Sequence, residues 1–403
     1  MYQQRNSFRS GSRGRHNRFN SNPRRSGGNR SGRGRFQPKQ LDTRLFIKPA
    51  DAVLNEVAPV TNSFNDFKLP KQLIGNLGNM GFNTPTPIQD QALTPALNGQ
   101  DVIGLADTGT GKTIAFVLPI LAKLIKDPAQ NALIIAPTRE LAVQIKDDIR
   151  ALSNGLPVKS VLLIGGTGIY RQIQELKRNP HIFIGTPGRL KDLHERGPLN
   201  LNNTHTIVLD EMDRMLDMGF VKDITKLLSY LPRERQTLLF SATIDDRVEG
   251  IARTFMTNPL KISVKTGATA QNVDQDVVRL AGSDKISVLK ELLKQQRFQK
   301  VLIFGQTKYG VEKLSVTLSQ NGFSVGAIHG NKRQSQRQRV LTDFKTNRIN
   351  ILVATDVAAR GIDVKDITHV INYDQPDTYA DYIHRIGRTG RAGKIGQALT
   401  FVE

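Results

Sequence analysis

From about Phe64 onward, short apolar runs rich in β-branched residues alternate with longer stretches in which apolar positions recur at helical spacing. Such alternation predicts parallel strands joined by helices, because a strand covered on both faces reads as a nearly continuous apolar run. Strands are expected at Asp101–Leu105, Ala132–Ala136, Ser160–Ile164, His181–Ile184, Thr206–Leu209 and Thr237–Phe240. A polar, turn-rich stretch, Lys265–Gln275, then reads as a linker. The alternation resumes with strands expected at Val301–Phe304, Ser324–Ala327, Asn350–Val353, His369–Asn372 and Ala398–Val402. Two α/β domains in series follow, which suits a chain of 403 residues.

Upstream the pattern vanishes. Residues 1–40 hold ten arginines, one lysine and no acidic residue among Gly, Ser and Asn, so they cannot bury a core and are expected to be disordered. Residues 41–60 are more apolar but carry no readable motif. The net charge is +21, and the tail's +11 leaves +10 on residues 41–403, so the folded part is itself basic. That balance points to a polyanionic partner such as nucleic acid or an acidic membrane surface. The absence of cysteine excludes disulfides and cysteine-ligated zinc, and the seven histidines have no paired ligand spacing. The most apolar stretch, Ile114–Ile125, is interrupted by Pro119 and Lys123 and is too short to span a bilayer. A soluble, cytoplasmic protein without a membrane partner is expected.

The strongest local chemistry is a strand ending near Ala106, the loop ADTGTGKT at 106–113, and a helical stretch. Gly109 and Gly111 allow backbone N–H groups to turn inward around phosphate oxygens, Lys112 supplies a cation, and the Thr113 hydroxyl can ligate magnesium. Ala106, Asp107, Thr108 and Thr110 complete the loop, with Ala106 where the general pattern has glycine. The counterpart after Phe304, GQTKYG, lacks such a loop, so one nucleotide site is expected. The run Thr206–Leu209 ends in Asp210 and Glu211, placing two carboxylates at the strand edge where α/β sheets bind ligands. Such a pair is common on surfaces, but the phosphate loop upstream favours chemistry. Asp210 then holds magnesium and Glu211 deprotonates the attacking water.

The chain also holds GFNTPTPIQ at 81–89, PTREL at 137–141, Gly165-Gly166, TPGRL at 186–190, DEMD at 210–213, SAT at 241–243, ATDVAARGID at 354–363 and HRIGRTGR at 384–391. In this order the motifs resemble those of DEAD-box RNA helicases, and 329–345 looks nearest to a bacterial RhlE-like branch. The resemblance implies two tandem RecA-like domains, at 64–264 and 276–403, after a tail at 1–40 and a lead-in at 41–63, with a linker at 265–275. It implies ATP with Mg2+ as substrate and cofactor, and RNA bound largely without sequence preference. Gln89 matches the adenine reader and Phe64 the aromatic that stacks on the base. Arg388 and Arg391 match two arginine fingers supplied by the second domain. Asp363 matches a ribose contact, while Ser241, Thr243 and His384 match the motifs that couple the nucleotide to the second domain. Thr138, Arg139, Gly165, Gly166, Thr186, Gly188 and Arg189, with Arg337 and Thr355, match RNA contacts.

Met212 stands where the family motif has alanine, yet both acids and Asp213 remain. The chain stops at Glu403, where relatives usually continue, so a missing final helix is expected to leave the second domain less well covered. The implied activity is RNA-stimulated ATP hydrolysis coupled to duplex unwinding or ribonucleoprotein remodelling. The alternatives are a nonenzymatic ATP-gated RNA clamp, with the basic tail recruiting ribonucleoprotein, and a DNA-translocating helicase.

Overall fold

The structure, a computed structural model, describes residues 41–50, 59–107, 109–264, 272–359, 364, 366–390 and 394–403. The tail at 1–40 and most of the linker lie outside the described residues.

Seven strands form the first sheet: β1 (Val102–Leu105), β2 (Asn131–Ile135), β3 (Ser160–Leu163), β4 (Ile182–Gly185), β5 (Thr204–Leu209), β6 (Gln236–Ser241) and β7 (Leu260–Ser263). Their order is β3-β4-β2-β5-β6-β1-β7, and all pair in parallel. Consecutive residues of a strand serve opposite faces. Ala132 and Ile134 of β2 join one apolar cluster with the helix Lys112–Lys126, while Leu133 and Ile135 join the other. Gly104 is required by contact, since a Cβ there would stand 2.5 Å from the Phe240 ring.

The second sheet comprises β8 (Val273–Arg279), β9 (Val301–Phe304), β10 (Val325–Ile328), β11 (Ile351–Ala354), β12 (His369–Asn372) and β13 (Gly396–Val402). Its order is β10-β11-β9-β12-β13-β8, again all parallel. The sequence missed both β7 and β8. Strand β8 begins at Val273, so the linker expected through Gln275 ends earlier.

The lead-in is not featureless. Asp42 accepts from the Arg44 amide and starts a 3-10 turn, Thr43–Phe46, which drives Phe46 into the second domain. Phe46 is fully buried, 4.7 Å from the Tyr382 ring, in a cluster with Val273, Ile386, Ala398 and Val402. Lys48 then pairs antiparallel with Gln275 of the outer strand β8. Further along, Thr61 and Asn62 each donate twice to the Asp90 carboxylate of the first domain, at 2.7–3.2 Å. The lead-in therefore belongs to both domains.

Candidate functional site

Strand order divides the C-terminal edge of the first sheet into two halves. Strands β1, β6 and β5 are neighbours, and after them come the phosphate loop, Ser241–Thr243 and Asp210-Glu211. Strands β2, β4 and β3 are neighbours on the other side, and after them come Thr138-Arg139, Thr186–Arg189 and Gly165-Gly166. The halves meet where β2 pairs with β5.

In the first half, Gly109 and Gly111 take φ values of 87° and 94°, which L side chains rarely adopt. The buried Lys112 Nζ donates to the Ala106 carbonyl at 3.0 Å, and the Thr110 hydroxyl donates to the Asp107 carbonyl at 2.8 Å. Thr113, half-buried, lies on the first turn of the helix that follows. Gln89 sits on the third residue of the helix Pro87–Leu97, where its Oε1 accepts from the Thr86 amide at 2.9 Å and its Nε2 donates to the Gly111 carbonyl at 3.0 Å.

The DEMD carboxylates are all buried. Burial pushes Asp210 up to about 6, with the Glu211 charge adding to the rise and Lys112, the Glu211 amide and Arg214 opposing it. Glu211 adopts a left-handed φ of 52° and forms a 2.9 Å ion pair with Arg214, both side chains about 5% exposed. Asp213 ties this segment to SAT: its Oδ2 accepts from the Thr243 amide at 3.0 Å and hydroxyl at 3.1 Å, while its own amide donates to Ser241 Oγ at 3.2 Å.

In the other half the glycine pair has a steric reason. A Cβ at Gly166 would stand 2.1 Å from Arg139 Nη1, and Gly166 has a φ of 75°. The Arg139 guanidinium thus lies directly over the loop. Arg189 reaches the Thr167 carbonyl at 3.5 Å. Burial holds Arg189 and Arg337 below the usual guanidinium range, and the Arg139 charge lowers both further. Arg139 is therefore within electrostatic reach of both Arg189 and Arg337, and of these arginines Arg337 is paired with the buried carboxylate of Glu140. That carboxylate joins the domains: Gln334 Nε2 donates to its Oε1 at 2.9 Å, and Arg337 Nη2 lies 2.8 Å from its Oε2.

In the second domain, the helix Tyr379–Ile386 carries His384 and Arg385, with Arg388 just beyond it. Arg385 forks onto Asp356 at 2.6 and 2.7 Å and also donates to Asn372 Oδ1 and the Asp374 carbonyl. This joins ATDVAARGID to HRIGRTGR. Thr355, buried at the end of β11, turns the chain into the short helix Asp356–Ala359.

Residues 86–251 match the DEAD/DEAH box helicase family, and residues 284–393 match the helicase conserved C-terminal domain. The DEAD-box ATP-dependent RNA helicase CshA of Geobacillus kaustophilus is 45% identical over 342 residues, which cover 84% of this chain and 73% of the relative. The chain belongs to the DEAD-box ATP-dependent RNA helicases. CshA of Bacillus subtilis is likewise 45% identical, over 85% of this helicase and 70% of the relative. Among solved structures, S. cerevisiae Dbp5 bound to RNA and ADP BeF3 aligns with a TM-score of 0.74 and 32% identity, covering 85% of this helicase and 90% of that chain. These bacterial relatives carry the CshA name and not the RhlE name expected from residues 329–345.

Several matched residues of this helicase are engaged within the protein itself. Phe64 is 4% exposed and belongs to the first domain's core, with no open face for a base in this arrangement. Gln89 is fully buried against the phosphate loop. The Thr138 hydroxyl caps the helix Arg139–Leu152 by accepting from the Leu141 amide. Arg337 pairs through Nη2 with Glu140 at the joint between domains, while its Nε has no hydrogen-bond partner among the described residues. Arg388 is buried, and its Nε donates to the His384 carbonyl at 3.3 Å. Thr186 and Gly188 sit at the start of the helix Pro187–Glu195, Gly188 exposed. Thr108, Asp363 and Arg391 lie outside the described residues. Sequence reasoning assigned no role to Arg214, Gln334 or Arg385, although Arg385 lies inside a quoted motif.

Proposed function

We propose that this helicase hydrolyses the β–γ phosphoanhydride of ATP on one half of the first sheet's edge and grips RNA on the other. The observation that carries this reading is the adjacency of the two halves on a single sheet, so that groups touching nucleotide and groups touching RNA share one rigid support. Gln89 suits adenine, because a carboxamide can accept from N6 and donate to N7, whereas guanine would set an acceptor against an acceptor. Glu211 accepts the proton of the attacking water as that water's oxygen bonds the γ-phosphorus and the bond to the bridging oxygen breaks, releasing ADP.

The donor set fits magnesium: Asp210 is a carboxylate destabilised by burial, which a cation would relieve, and Thr113 adds a hydroxyl oxygen. Bound there, the ion would neutralise phosphate charge. Lys112 supplies a fixed positive charge beside it.

Arg388 and Arg391 act as fingers from the second domain. An arginine finger contributes about 10³–10⁵ in rate, so turnover would depend on domain closure. Thr138, Arg139, Gly165, Gly166, Thr186, Gly188, Arg189 and Thr355 contact RNA phosphate and sugar, which reads no sequence. Arg337 adds to them, since its Nε is buried without a hydrogen-bond partner among the described residues. Asp363 holds the ribose. The tail at 1–40, rich in Arg-Gly steps with Phe8, Phe19 and Phe36, tethers RNA by charge and stacking and offers a surface to ribonucleoprotein partners. Among the described residues no helix is long and apolar enough to cross a membrane, and a cysteine-free chain fits a cytoplasmic setting.

Glu211→Gln tests this reading. The variant should bind ATP and RNA as the parent does and stop turnover, accumulating as an ATP-held RNA clamp. Wild-type turnover by it would falsify the role of Glu211, and loss of RNA binding would break the separation of the two halves.

A further inference from the structure

Glu211 does not stand alone at its strand end. Its left-handed φ of 52° begins the helix Met212–Asp217, and its amide donates to Asp210 Oδ1 at 3.0 Å. One turn later Arg214 returns its Nη1 to Glu211 Oε2 at 2.9 Å, and no other hydrogen bond to that carboxylate is found among the described residues. Arg214 is in turn fixed from behind, its amide donating to Asp213 Oδ1 at 3.0 Å, while Asp213 Oδ2 is held by Thr243.

A buried ion pair is weak evidence for stability, because desolvating both charges can outweigh their attraction. A left-handed non-glycine residue is likewise costly, and such strain collects at functional sites. Both costs fall on the one carboxylate proposed as the base. A guanidinium that holds Oε2 restrains the rotation of the carboxylate and leaves Oε1 as the oxygen available to a water. The arrangement follows the general logic in which a catalytic base is oriented by a third group.

We propose that Arg214 is a positioning residue for the hydrolytic step: it sets the direction of the Glu211 carboxylate and links that direction, through Asp213, to the SAT segment. The inference rests on the reading of Glu211 as base. Arg214 touches neither nucleotide nor RNA in this scheme, so its loss acts on turnover and spares binding. Lysine replaces it poorly, being a point charge without the rigid fork.

The experiment compares Arg214→Gln, Arg214→Lys and Glu211→Gln in the full chain, measuring kcat, the KM for ATP and the RNA concentration giving half-stimulation. Misplacing a reacting group by about 1 Å can lower a rate by about a hundredfold. Arg214→Gln should lose about that factor in kcat while both half-saturation values stay within about threefold, and Arg214→Lys should regain part of the loss. A wild-type kcat in Arg214→Gln, with Glu211→Gln inactive, overturns the positioning role alone. An active Glu211→Gln overturns the base assignment and this inference with it. Parallel loss of kcat, ATP binding and RNA binding in Arg214→Gln, with no recovery in Arg214→Lys, reduces the pair to a structural strut. Should Arg214→Gln fail to fold, Arg214→Lys decides: a lowered kcat at unchanged KM supports the proposal, and a wild-type kcat overturns it.

Discussion

Replacing Gly166 by alanine should weaken RNA binding without touching the nucleotide half of the sheet edge. The added methyl would stand 2.1 Å from Arg139 Nη1, and ordinary contact needs 3.4 Å, so the guanidinium must retreat by about 1.3 Å. The loop cannot yield easily in its place, because at a φ of 75° the alanine is itself strained by about 1–2 kcal/mol. A displaced guanidinium loses a charge-assisted hydrogen bond to phosphate worth about 1.5–3 kcal/mol, which corresponds to about 10- to 160-fold in RNA affinity. Gly168 provides the control on the same loop but outside the proposed RNA contacts, since a Cβ there meets nothing within 4 Å and its φ is not positive. Fluorescence anisotropy with a labelled single strand, titrated over a range of salt, gives both affinity and salt slope. Gly166→Ala should also flatten that slope by about 0.7, the signature of one lost phosphate contact on a single strand. ATP affinity without RNA should match the parent. Equal weakening by Gly166→Ala and Gly168→Ala, or none by Gly166→Ala, would refute the assignment of Arg139 to phosphate.

Gln89→Ala should narrow the preference for ATP over GTP by about 1–3 kcal/mol, read from competition binding; an unchanged ratio would move base recognition elsewhere. Phe46→Ala should destabilise the second domain by about 3–5 kcal/mol, the usual cost of emptying a fully buried phenylalanine site, measured by urea unfolding of the full chain. A loss under about 1 kcal/mol would mean that the lead-in does not dock through that ring.

The central strands were legible because burial on both faces leaves little choice of residue: Val301–Phe304 and His369–Asn372 fall where the apolar runs predict them. Edge strands escape that constraint. The strand Val273–Arg279 reads VDQDVVR, and with a full strand partner on one side only it tolerates Asp274 and Asp276, so its first three residues passed for linker and the rest went unread as a strand. Leu260–Ser263, the opposite kind of edge, buries only Ile262 of its four residues and offered too little pattern to find. The lead-in was opaque for another reason. The partners of Phe46 lie more than two hundred residues away, and the short apolar run Leu45-Phe46-Ile47 does not announce which of its residues is buried or against what.

The same distinction runs through the site. Residues that define a backbone shape, such as the glycines of 106–113, announce themselves because few side chains could replace them. Residues that act through another side chain do not. Arg214 and Gln334 look like ordinary solvated side chains in the sequence, and Arg337 stood out only through the family resemblance, yet each is buried on a carboxylate. Gln334 and Arg337 meet Glu140 from the other domain, so that the PTREL segment carries the proposed RNA contact Arg139 and, as its next residue, the carboxylate that meets the second domain. The group proposed to bind RNA and the group that meets the second domain are therefore adjacent in the chain, on the first turn of one helix. Movement of the second domain cannot pull on Glu140 without also bearing on Arg139. If closure over ATP and grip on RNA are coupled as proposed, these two neighbouring residues give them one point of physical contact.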